Sequence, residues 1–235
     1  MKLLIVAATP FEILPLEQHL KNAFVPHGQS QFQYGRLNVT LLVTGVGLTA
    51  TAFAMGQILA AQRYDLIINA GICGAYDRSL ALGDVVQVVS EVFGDMGAEE
   101  SDGSFTDAFG IGLLGLDQPP FKNGLLLNEG GSAYDFLPKV AGVSVNKVHG
   151  SQASITALQQ RLGAQVESME GAAFFYACLM TQAPFLQIRA ISNYVEPRNK
   201  DNWNIPLAIT NLNDVLVAID RLNEVLAQMV NGLAV

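Results

Sequence analysis

The chain has 235 residues, half of them hydrophobic and only 14% charged, with a net charge of −8. That length and apolar content suit one sizeable core, so residues 1–235 are read as a single domain. The acidic balance excludes non-specific nucleic-acid binding, which needs a basic surface, and no apolar run is long enough to span a membrane.

Met1–Ala8 opens on an apolar run that briefly mimics a signal peptide. It stops at Thr9-Pro10 with Glu12 close behind, short of the about 7–15 residues of a signal h-region, so Leu3–Ala8 reads as a buried strand. Thr9-Pro10-Phe11-Glu12 fits a helix capping box. Pro15 opposes a start there, because inside that helix it would delete the bond to the Phe11 carbonyl and disfavour helical geometry at Leu14. A helix starting near Pro15 is expected instead, leaving Glu12 in the loop beyond the carboxyl end of the first strand, where open α/β sheets bind ligands. On the residues alone, cap and site both stay open for Glu12.

Phe32–Tyr34 and Leu37–Thr44, separated by Gly35-Arg36, read as a hairpin. Gly45-Val46-Gly47-Leu48-Thr49-Ala50 matches a dinucleotide fingerprint, GxGxxA, ahead of an Ala-rich helix over Leu48–Gln62. The fingerprint needs an acid at the end of the next strand, Leu66–Asn69, whereas Asp65 stands at its start. A tight Gly turn with backbone N–H groups facing a small polar ligand is the better reading. Val85–Phe93 is another strand, after the turn Leu82-Gly83-Asp84. From Gly94 to about Gly131 periodicity breaks down, as in functional or mobile segments. Cys73 and Cys178 have no metal-type spacing and fit buried thiols in a reducing compartment, so the cytoplasm is expected.

Val143–Val148 reads as a strand and Ser154–Leu162 as a helix. Glu170 stands just ahead of the apolar helix Ala172–Met180, where a carboxylate is costly unless paired or hydrogen-bonded. It is either a cap partner or a ligand-facing acid. In the strand Phe185–Ile191, Arg189 must find a carboxylate or solvent, and Glu12 and Glu170 are its natural partners. Ile205–Val230 closes the chain as a long helix with Leu212, Val215, Leu216, Ile219 and Leu222 at helical spacing. Strands alternating with helices define an α/β sheet covered on both faces.

These segments together resemble the nucleoside phosphorylase/nucleosidase superfamily, in particular its hydrolases. The matching pieces are Glu12, Thr44-Gly45-Val46-Gly47, Asn69-Ala70-Gly71-Ile72-Cys73-Gly74, Leu82-Gly83-Asp84-Val85-Val86, Val166-Glu167-Ser168-Met169-Glu170-Gly171 and Arg189-Ala190-Ile191-Ser192-Asn193, in family order. Ser192–Arg198 and Trp203–Ala208 sharpen the likeness. The resemblance implies a three-layer α/β/α sandwich with a central mixed β-sheet, a purine nucleoside substrate, a homo-oligomer such as a dimer, and neither cofactor nor metal.

It also implies roles by position. Glu12 activates the water with Arg189 beside it, Met169 and Glu170 hold the ribose, and Asn193 meets the base. Gly45, Gly47 and Gly74 line the substrate. Related nucleosidases carry a Ser near the water in the Asn69–Gly74 segment, where this chain has Ile72. Adenine-cleaving relatives have Asp where Asn193 stands. A protonated Asp suits adenine, whereas an Asn NH₂ can donate to both acceptors, N7 and O6, of a 6-oxopurine.

Thr9–Leu20 has no Arg or Lys for phosphate, which favours a hydrolase over a phosphorylase unless Arg36 or Arg78 reaches in. Arg198 and Lys200 are candidate cations for an acidic group on the substrate. The alternatives are a methylthioadenosine/S-adenosylhomocysteine-type nucleosidase, a purine nucleoside phosphorylase, and a nucleoside-binding protein without catalysis. The last would need the ribose clamp but not Glu12.

Overall fold

The computed structural model describes residues 1–129 and 137–232, with side chains through Ile219. In chain order the elements are β1 (Lys2–Ala7), α1 (Pro10–Ala23), β2 (Val25–Pro26), β3 (Gln31–Tyr34), β4 (Leu37–Val43), α2 (Leu48–Ala61), β5 (Leu66–Ala75), β6 (Val85–Glu91), β7 (Gly97–Glu99), β8 (Phe105–Asp107), β9 (Leu126–Leu127), β10 (Lys139–Ser144), α3 (Gln152–Leu162), β11 (Val166–Ser168), α4 (Gly171–Thr181), β12 (Phe185–Tyr194) and α5 (Ile205–Gly232).

Alternation along β1 sets the layers. Leu3, Ile5 and Ala7 face α1 and α5, meeting Leu16, Leu20, Leu212 and Leu216. Leu4 and Val6 point the other way, into the cluster that holds Met55 of α2 and Phe174, Phe175 and Cys178 of α4. Period-two alternation thus gives one strand two apolar faces, each covered by helices. α3 covers the far edge, packing Ile155 and Leu158 against Val143 and Val145.

The main sheet runs β11-β10-β6-β12-β5-β1-β4-β3-β2, with β9 beside β6. It is mixed: β1 is parallel to β4 and β5, β12 is parallel to β5, and β6 is antiparallel to β12. The carboxyl ends of β4, β1, β5 and β12 therefore open on one side. This is the three-layer α/β/α architecture expected from the sequence.

Three boundaries differ most from the sequence reading. α1 begins at Pro10, not near Pro15. Glu12 holds that start by accepting bonds from the Thr9 N–H (2.9 Å) and hydroxyl (3.0 Å). Pro15 is tolerated because it lies, with Phe11, on the exposed side of the helix, where a carbonyl freed by the missing bond can be hydrated. β5 runs on to Ala75, because its Gly- and Ala-rich second half is paired along β12 and, at its end, with β11.

β10 spans Lys139–Ser144 rather than Val143–Val148. Asp95 draws Asn146 out of the ladder, its carboxylate accepting from the backbone N–H at 2.6 Å and the side-chain amide at 3.2 Å. The Gly94–Gly131 stretch contains the β7–β8 hairpin and buries Ala108, Phe121 and Leu126, while its last two residues lie outside the described range. The Leu222 side chain also lies outside it.

Candidate functional site

Where the parallel strands end, three charged side chains meet in the protein interior: Glu12, Glu170 and Arg189, all buried. Glu12 is both cap and site residue. While Oε2 serves Thr9, Oε1 accepts the Ile72 backbone N–H at 3.2 Å. Ile72, which the resemblance sets against a Ser, thus supplies a main-chain donor. Gly71 makes the crowding possible. A Cβ on it would lie 2.7 Å from Arg189 Nη1 and 2.8 Å from Glu12 Oε1.

The expected ion pairs of Arg189 do not form among the described residues. Its Nη1 donates to Asn69 Oδ1 at 2.6 Å, while Nε and Nη2 are buried without a hydrogen-bond partner. A guanidinium cannot be neutralised, so these two buried donors need an acceptor that the described residues do not supply.

Glu170 caps α4 and accepts the Gly47 N–H through Oε1 at 3.0 Å, tying α4 to the Gly45–Gly47 turn. Positive φ angles of 86° at Gly45 and 95° at Gly47 require glycine there. The GxGxx segment is thus a turn that holds an acid, and Asp65 sits at the opposite end of β5, bonded to the Lys2 N–H at 2.6 Å. The N-terminus of α4 by itself favours an ionised Glu170. Burial instead raises its pKa, with Arg189 and the Gly47 N–H pulling the other way. Met169, half-buried, precedes Glu170 in the turn leaving β11.

The second end of the site centres on Gly74. It is the register partner of Asn193 on β12 and of Glu167 on β11, and a bulge at Ser192 re-aims Asn193. Asn193 Oδ1 lies 2.8 Å from Ser192 Oγ, and Nδ2 donates to the Tyr194 carbonyl at 3.0 Å. One amide hydrogen is therefore used locally, as a turn residue would use it, and the other is free for a ligand.

Gly74, His149, Asn193, Arg198 and Trp203 line one cleft. Arg198 is exposed, its Cζ 5.2 Å from the Trp203 ring centroid. Lys200 is exposed at the start of a short 3-10 helix, Lys200–Asn202, beyond it. Arg78 donates to Glu196 Oε2 at 2.8 Å, and Arg36 lies in the β3–β4 turn at the other end of the sheet, so neither reaches Glu12. The larger cavities, of 640 and 680 Å³, lie elsewhere and contain none of Glu12, Glu170, Arg189 or Asn193.

Two supporting groups escape a sequence reading. Glu91, fully buried, accepts from Gln187 Nε2 at 2.6 Å and Ser144 Oγ at 2.9 Å, and burial pushes its pKa up to about 7. Ser144 Oγ in turn receives the Ala172 N–H at 2.7 Å, so this network steadies the start of α4 behind Glu170. A lone acid in the apolar strand Val85–Phe93 was the signal for it. Glu167 accepts from Tyr76 OH at 2.5 Å and bonds His149 Nδ1 at 2.6 Å. Nothing local in the sequence marks that cluster.

The α/β sheet with two buried acids and a buried arginine at its strand ends is that of the Phosphorylase superfamily, to which the chain belongs: the family's profile matches residues 2–231. Among individual proteins, it is 32% identical over 175 residues to a futalosine hydrolase of Thermus thermophilus, covering 73% of this chain and 76% of that one. It is 31% identical over 224 residues to the futalosine hydrolase of Acidothermus cellulolyticus, covering 93% and 90%. Its fold superposes on the 5′-methylthioadenosine/S-adenosylhomocysteine nucleosidase of Neisseria meningitidis with a TM-score of 0.73 at 19% identity, covering 92% and 96%.

Proposed function

We propose that this chain hydrolyses the N-glycosidic bond of futalosine, releasing hypoxanthine and dehypoxanthine futalosine, a step of the futalosine route to menaquinone. The observation that carries the reading is its similarity to futalosine hydrolases at 31–32% identity. Asn193, where an adenine-cleaving enzyme would need an acid, supports a 6-oxopurine as leaving base. Glycosidic cleavage builds oxocarbenium character on the sugar. Glu170 accepts hydrogen bonds from the ribose hydroxyls with Met169 against the ring, and the unpartnered Arg189 donors face the same end.

Glu12, pinned by Thr9 and the Ile72 N–H, takes the proton of the attacking water. Such a base contributes about 10²–10⁴ in rate. Asn193 stabilises the departing base by donating its free amide hydrogen to N7 or O6, and reaches both when its bond to the Tyr194 carbonyl is exchanged for the base. Gly45 and Gly47 shape the sugar end, Gly74 the base end. Arg198 closes the base end beside Trp203.

Water rather than phosphate is the nucleophile in this reading, because Arg78 is engaged by Glu196 and Arg36 is remote. The apolar groove between α2 and α4, with Phe53 (67%) and Met180 (54%) strongly exposed nearby, supports a homo-oligomer built on that face. Among the described residues no helix is long and apolar enough to cross a membrane, in keeping with the proposed cytoplasmic location.

The test is chromatographic detection of free base from futalosine, aminodeoxyfutalosine, inosine and methylthioadenosine, each with and without phosphate. Hypoxanthine from futalosine, indifferent to phosphate, is the expected result. Adenine release or phosphate dependence would overturn it.

A further inference from the structure

We infer that His149 is a further specificity-determining residue, accepting a hydrogen bond from N1–H of a 6-oxopurine base. The inference rests on the reading of Asn193 as the base-binding group. Glu167, buried on β11, accepts from the Tyr76 hydroxyl (2.5 Å) and the His149 backbone N–H (3.1 Å), and its Oε2 lies 2.6 Å from His149 Nδ1. Burial, and then the bond to Glu167, push the Tyr76 hydroxyl upward, so it stays a donor.

A carboxylate can only accept, so Nδ1 carries the hydrogen, and it is the neutral form of the ring that offers a lone pair on Nε2 to a ligand. The tautomer is thus set by the protein. Glu167 and Asn193 flank Gly74 from opposite neighbouring strands, two strand spacings or about 10 Å apart. Gly74 lets Val195 and Asn193 close in, at 2.8 and 3.1 Å from where its Cβ would stand, and His149 and Asn193 line the cleft beside it.

The chemistry of the base supplies the match. Along its edge a 6-oxopurine presents two acceptors, N7 and O6, and then a donor, N1–H. The Asn193 NH₂ suits the acceptors but offers nothing to N1–H. The Nε2 lone pair of His149 does. Adenine carries a lone pair at N1, which would face the lone pair of His149. The two side chains therefore discriminate in the same direction, Asn193 from β12 and His149 from the loop before α3.

Hypoxanthine, 1-methylhypoxanthine and adenine would be titrated calorimetrically into the wild-type protein, His149→Ala and His149→Gln, with futalosine turnover followed in parallel. Losing a partner for a buried donor corresponds to roughly tenfold or more in affinity. The wild type is expected to prefer hypoxanthine over 1-methylhypoxanthine by at least that factor. His149→Ala should lose the preference through weaker hypoxanthine binding, and His149→Gln, which offers an amide oxygen, should keep part of it.

A folded His149→Ala protein that retains the full preference would overturn the inference, as would a wild type that shows none or binds no hypoxanthine. Failure of the wild type to release hypoxanthine from futalosine would instead overturn the proposed function. The base titrations decide the inference in either event.

Discussion

Gly71 and Gly74 lie three residues apart on one strand, and each makes room for a different kind of chemistry. The space at Gly71 is filled by the ends of Arg189 and Glu12, both buried and both held, by Asn69 and by the Ile72 N–H. The space at Gly74 is bordered by Val195 Cγ2 at 2.8 Å and Asn193 Nδ2 at 3.1 Å, and Asn193 is bonded only to its chain neighbours. One end is a preorganised charged site whose parts have little freedom to move. The other is a recognition surface whose local hydrogen bonds can be exchanged for a ligand. Rate should therefore depend on the first end and base choice on the second.

The sharpest way to separate them is Glu12→Gln. Turnover of futalosine is expected to fall by about 10²–10⁴ while hypoxanthine affinity stays unchanged. Loss of base binding in a folded variant would dissolve the distinction between the ends. Asn193→Asp attacks the other end. It should lower kcat/KM for futalosine by about 10–10² and raise adenine release from aminodeoxyfutalosine, measured by the same chromatography.

The two glycines then test each other. Gly71→Ala must push aside two buried, bonded groups and should cost about 1–3 kcal/mol of stability together with most of the activity. Gly74→Ala meets the tips of half-buried or apolar side chains, so its effect should be confined to a several-fold rise in KM. Equal losses from both would show that the strand responds as one rigid unit.

Much of this frame is legible in the sequence, for physical reasons that also mark where legibility ends. β1, the β3–β4 hairpin and α2 follow from period and turn chemistry, which are local. The second half of β5 does not, because Ala70–Ala75 lacks β-favouring bulk and is a strand only through its neighbours. Pro15 misplaced the start of α1, since the rule against interior proline carries less weight where the freed carbonyl faces water.

Within the site, Glu12, Glu170 and Arg189 announce themselves as charges beside apolar runs, and Glu91 would have done so by the same argument. His149 could not. Its partner, Glu167, lies 18 residues away, and the register of β11 against Gly74 brings the pair to the cleft. The pairing of Arg189 was also out of reach, because Asn69 competes with the carboxylates in a way only geometry decides.

The smallest expected effect concerns what stands behind Glu170. Burial raises Glu91 from 4.5 to about 7, so the folded protein holds that proton more tightly than the unfolded chain does. Its contribution to stability is fully present at pH values below 4.5, declines as pH rises towards about 7, and is then flat. At about 1.4 kcal/mol for each pK unit, the loss across that window is on the order of 3 kcal/mol. Glu91→Gln keeps one oxygen to accept from Gln187 Nε2 and turns its NH₂ toward Ser144 Oγ, which can accept, so it should flatten the pH dependence of the urea midpoint without unfolding the core. Identical slopes for variant and wild type would assign the dependence to another group. Because Glu91 steadies α4 through Ser144 and senses Arg189 and Glu170, the variant should alter KM for the nucleoside and leave hypoxanthine affinity unmoved. A change in base affinity would mean that the two ends communicate through α4, and that Gly71 and Gly74 divide one site less cleanly than their surroundings imply.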